Sequence, residues 1–64
     1  MITFVVYKYD HIMKIPPGGH GFSIYDLKDA KDYAEHVLLK TVNTASVAVE
    51  VDGAEVAHYY NYKR

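Results

Sequence analysis

The stretch Ala45-Ser46-Val47-Ala48-Val49-Glu50-Val51-Asp52-Gly53-Ala54-Glu55-Val56-Ala57-His58-Tyr59-Tyr60-Asn61-Tyr62 decides the fold. Two alternating runs flank an Asp-Gly pair, which suits the two central positions of a type I′ turn because both require positive φ. The pair predicts a hairpin over residues 45–62 and a register with it. Val51 falls opposite Ala54, Glu50 opposite Glu55, Val49 opposite Val56, Ala48 opposite Ala57, Val47 opposite His58 and Ser46 opposite Tyr59. One face of this hairpin is valine-rich. The other sets two carboxylates against each other and carries Ser46, Ala48, Ala57, Tyr59 and Asn61.

Upstream, Leu27, Ala30, Ala34, Val37, Leu38 and Thr41 recur at helical spacing and predict a helix over 26–40 with one buried stripe. Ser23 or Asp26 can cap its start, and Asp26 and Asp29 suit the positive end of the helix dipole. Residues 2–9 are rich in β-branched and aromatic side chains and read as a strand. Between strand and helix, residues 10–22 hold both prolines and three of the four glycines, a long loop by this reading. A connection of that length is commonly functional or disordered.

The element order is therefore β-α-β-β, an α+β chain of one small domain. A strand that returns through a helix arrives parallel to the strand it left, so the last strand is expected to slot between them. The expected sheet has three strands in the order 1-3-2, the runner-up order putting the third strand on the outside, with one helix packed on one face. Its other face is open.

At 64 residues the chain has room for one small core, and without cysteine it has neither a disulfide nor a thiolate metal site. Self-association is the remaining support, and a homodimer is the expectation. A formal net charge of −1, from 7 basic and 8 acidic residues, lacks the basic excess of an electrostatic nucleic-acid or membrane binder. The apolar run at the N-terminus is too short for a signal peptide or a membrane span, which with the absence of cysteine points to the cytoplasm.

Function has to be sought on the surfaces left over. Both faces of residues 2–9 are apolar: Ile2, Phe4 and Val6 alternate with Val5, Tyr7 and Tyr9. On the open face Val5, Tyr7, Tyr9, Ala48, Ala57 and Tyr59 would form a patch of aromatic rings around small residues, a composition found at protein interfaces. Glu50 opposite Glu55 is a like-charge pair, mildly destabilising unless a cation approaches. Lys8, Lys63, Arg64 or a partner's base could supply it. In the long loop, Ile12, Met13, Ile15 and His20 are a second candidate recognition element.

The competing chemistries have weaker signatures. The four histidines lack metal-ligand spacing; a site from Asp10, His11 and His20 would need the loop to fold them together. Gly18-Gly19-His20-Gly21 matches neither the dinucleotide nor the P-loop pattern. The tail Tyr59-Tyr60-Asn61-Tyr62-Lys63-Arg64 mixes rings with bases, as single-strand binders do, which makes a small nucleic-acid-binding module the alternative. Paired carboxylates on an open sheet lack the cleft that acid/base catalysis needs, so neither a catalytic residue nor a cofactor is expected.

Asp29-Ala30-Lys31 and Ala34 on a helix, followed by Val47-Ala48-Val49-Glu50-Val51-Asp52-Gly53 and Val56-Ala57-His58-Tyr59, resemble the strand-helix-hairpin arrangement of very small bacteriophage proteins, among them anti-CRISPR and other anti-defence inhibitors. The resemblance covers roughly residues 27–62. It implies a stoichiometric binder of a larger host protein, such as a nuclease or defence complex, with no chemistry of its own and no catalytic residues to carry over.

Overall fold

The computed structural model describes residues 2–16 and 26–61. Its elements are β1 (Ile2–Lys8), β2 (Ile12–Ile15), α1 (Leu27–His36), a 3₁₀ turn (Leu38–Lys40), β3 (Thr44–Val51) and β4 (Ala54–Tyr60). They form an α+β unit in which the helix packs on one face of an antiparallel sheet ordered β2-β1-β3-β4.

The sheet has four strands where three were expected, because Ile12–Ile15 is a strand. Phe4 pairs with Ile15, Val5 with Lys14, Val6 with Met13 and Tyr7 with Ile12. A reversal through Tyr9 and Asp10 makes this possible, with the Lys8 N–H donating to the His11 carbonyl at 2.8 Å. The extra strand also changes the order. β2 and β3 are each antiparallel to β1, hence parallel to each other, so the helical crossover links β2 to β3 with β1 between them. β1 and β3 become direct neighbours, and β4 lies at the edge rather than in the middle.

Asp52 and Gly53 take φ of 51° and 87°, as the type I′ turn requires. Val51 pairs with Ala54 and Glu50 with Glu55, but a β-bulge then shifts the ladder. Beyond it Val49 pairs with Ala57, Ala48 with His58, Val47 with Tyr59 and Ser46 with Tyr60, so the uninterrupted register holds only next to the turn. The bulge has a clear physical return. Without it His58 would face the valines under the helix; with it, Tyr59 takes that place and His58 turns away.

The core lies between α1 and the sheet. Phe4, Val6, Val47 and Val49 meet Ala30, Ala34 and Leu38, with Ile2, Ile15, Leu27, Tyr33, Leu39, Ala57 and Tyr59 packed around them. Ala30 and Ala34 let the helix approach closely, and Phe4 fills the space against Tyr33 at a ring-centroid distance of 5.5 Å. Burying a side chain such as Phe4 contributes about 2–3 kcal/mol. Asp26 caps α1, its carboxylate accepting from the Lys28 N–H at 3.2 Å. The α-helical run ends at His36, and the 3₁₀ turn carries Leu38 into the core while Val37 and Thr41, two members of the expected stripe, are exposed.

Candidate functional site

The pairings map the helix-free face as three rows across the strands. The first is Ile12, Tyr7, Ser46 and Tyr60; the second is Lys14, Val5, Ala48 and His58; the third is Thr3, Glu50 and Glu55. Large side chains thus flank small ones in the middle of the face, and the acidic pair closes one end. Val5, Ala48 and Ser46 are buried, whereas Ile12 and Tyr60 at the two margins are 62% and 57% exposed.

The centre of the face is a stack of three rings. His58 lies between Tyr7, at a centroid distance of 5.4 Å and 13° between planes, and Tyr60, at 4.5 Å and 8°. Both imidazole nitrogens are engaged: Nδ1 lies 3.2 Å from Glu55 Oε1 and Nε2 lies 3.0 Å from Ser46 Oγ. A carboxylate can only accept, so with neutral His58 the Nδ1–H donates to Glu55 and Nε2 accepts from the Ser46 hydroxyl. The small residues at 46 and 48 make room for the rings, and the bulge brings His58 to the side that Glu55 already occupies.

Carboxylate, imidazole and hydroxyl in this sequence have the connectivity of a hydrolase triad. Acyl transfer also needs an accessible nucleophile and donors aimed at the developing oxyanion. Ser46 is 7% exposed and lies in a strand paired on both sides, where its backbone donor is committed to the ladder. The geometry places the imidazole between two phenol rings.

The sequence-derived candidates divide accordingly. Val5, Tyr7, Ala48, Glu50 and Glu55 share the helix-free face as expected, and Glu50 does oppose Glu55. Ala57 and Tyr59 do not belong with them: the bulge turns both to the helix side, where they pack against the core. Burial, then the nearby charges of Glu35 and Asp32, raises the Tyr59 phenol pKa above its ordinary value, as a ring tucked under α1 should show. In their place stand His58 and Tyr60, which the unbroken register had aimed at the helix. Tyr9 is exposed in the β1–β2 turn, beyond the strand, with its N–H donating to the Asn43 carbonyl at 3.1 Å.

The proposed loop element also splits. Ile12 joins the helix-free face, Met13 lies on the opposite side at the sheet edge and Ile15 packs against the core. His20 lies outside the described residues, as do the glycine turn, Ser23 and Tyr62 onward. Lys8 does not serve the acidic pair. Its ammonium sits at the other end of the sheet, donating to Val42 O at 2.6 Å, Thr44 Oγ1 at 2.9 Å and Thr41 Oγ1 at 3.2 Å.

His11 Nδ1 lies 2.7 Å from Asp10 Oδ1, which also accepts from Asn43 Nδ2 at 2.7 Å. The contact with His11 leads the causes that hold the Asp10 carboxyl below its ordinary pKa. Among the described residues no three histidine, aspartate or glutamate side chains gather into a metal-ligand set, and no helix is long and apolar enough to cross a membrane. No family model matches the chain, and no curated protein or solved structure matches it.

Proposed function

We propose that this chain is a non-enzymatic protein-interaction module that docks through the helix-free face of its sheet. The observation that carries the reading is the row Ile12, Tyr7, Ser46, Tyr60, which sets exposed Ile12 and Tyr60 at the two margins of the side away from the helix with half-buried Tyr7 and the small, buried Ser46 between them. Tyrosine and isoleucine contribute contact area at low entropic cost, and a rigid stack needs little further ordering on binding. The sheet edges favour face docking over strand addition: β2 is short, carries Lys14 and is followed by Pro16, and β4 is bulged.

Two observations favour this reading over the nucleic-acid alternative: Tyr59 packs against the core on the helix side, and Glu50 and Glu55 would oppose phosphates on the helix-free face. The likeness to phage anti-defence proteins makes a host nuclease or defence complex the candidate larger target, and a cytoplasmic site of action goes with it.

Photo-crosslinking in the cell that makes the protein tests the reading. A benzophenone amino acid replacing Ile12 or Tyr60 is expected to give discrete protein adducts, and one replacing Lys28 or Asp32 on the exposed side of α1 is not. Adducts at the helix positions alone, or at none of the four, would overturn it.

A further inference from the structure

The helix-free face is complementary to itself. Turning one copy about a two-fold axis that lies between the two sheets, parallel to the strands, keeps each row against its own counterpart and exchanges left for right. Ile12 then faces Tyr60 of the other copy, Tyr7 faces Ser46, Val5 faces Ala48 and Lys14 faces His58 beside Glu55, because these residues occupy mirrored places in the rows. Large meets small in the middle of the face, and a lysine meets the end that carries two carboxylates.

From this pattern we infer that the partner on the helix-free face is a second copy of the chain, joined by that two-fold axis with Lys14 of each copy against Glu55 of the other. This rests on the reading of the face as a docking surface and names its occupant. Charge complementarity favours this axis over the perpendicular one. An in-plane axis across the strands would bring Lys14 against Lys14 and leave Glu55 over Tyr60. Lys14 is exposed and takes part in no ion pair among the described residues, and Glu50 lacks one too, so both are available to a partner. The two-fold arrangement gives two such contacts per dimer.

Size sets the strength. Four strands about 4.8 Å apart and three rows about 6.8 Å apart make a face of roughly 400 Å² in projection. With side-chain relief, the two copies together would bury roughly 1,000 Å², the lower bound for a specific interface. A dimer of that size is expected to depend on concentration.

A charge exchange read by sedimentation equilibrium tests both partner and axis. Lys14→Glu and Glu55→Lys, each first shown to fold by far-UV circular dichroism, should each weaken the dimer by about tenfold or more, because like charges then meet at both contacts. An equimolar mixture of the two variants should dimerise again, since every contact then pairs opposite charges. Loss of folding in either variant could not produce that rescue. If Glu55→Lys does not fold, Glu55→Gln takes its place, and its mixture with Lys14→Glu should regain part of the affinity that Lys14→Glu alone loses, because one of the two like-charge contacts is then removed. A wild-type chain at the monomer mass throughout would overturn the inference while leaving the face open to a foreign protein, which the crosslinking then reads as adducts of larger mass. A wild-type dimer indifferent to the exchange would overturn this arrangement.

Discussion

The Lys8 ammonium donates to Val42 O, Thr44 Oγ1 and Thr41 Oγ1, and so ties the end of β1 to the turn that leads into β3. Asp10 works beside it, accepting from Asn43, which holds a φ of 64°, and contacting His11. Each of these polar residues has a structural partner among the described residues. Asp10 supplies a pH test. Its carboxyl titrates below the ordinary range, chiefly through His11 and also through Asn43, so the folded state binds its proton less tightly than the unfolded chain does. The stabilisation is complete above the ordinary carboxylate pKa and is lost as pH falls through the lower folded value. Thermal melts of Asp10→Asn should therefore show a shallower loss of stability on the acid side than wild type. Equal acid limbs would contradict the assignment.

Among the elements, α1 and the Asp52–Gly53 hairpin turn were legible because their signals are local: a capping aspartate, a helical apolar stripe, an Asp-Gly pair between alternating runs. The cap is worth about 1 kcal/mol. Asp26→Ala should cost that much in urea unfolding with little change in slope, since the same surface is exposed either way. β2 was hidden for an equally physical reason. Ile12-Met13-Lys14-Ile15 is only four residues long, follows a turn without glycine and runs into Pro16, so its strand character comes from pairing with β1. The bulge in β4 was hidden more deeply, because Val-Ala-His-Tyr-Tyr alternates acceptably in either register. Which residue goes inward is decided by the helix, where a phenol packs against apolar neighbours at less cost than an imidazole. That one shift exchanged Ala57 and Tyr59 for His58 and Tyr60 in the candidate site.

For the molecule as a whole, a sheet that the helix covers on one side leaves, among the described residues, a row with Ile12 and Tyr60 at its margins, a stack of rings and an acidic corner on the other, and the proposed association through that face depends on the bulge. Nuclear magnetic resonance at a concentration low enough to hold the chain monomeric tests this placement most directly. The Tyr59 ring should show nuclear Overhauser contacts to the methyl groups of Ala34 and Val47 and stay protected from a soluble gadolinium chelate, while the Tyr60 ring is strongly relaxed by it. Contacts from Tyr60 to those methyls, with Tyr59 relaxed instead, would restore the unbroken register and contradict the surface on which the proposed function stands.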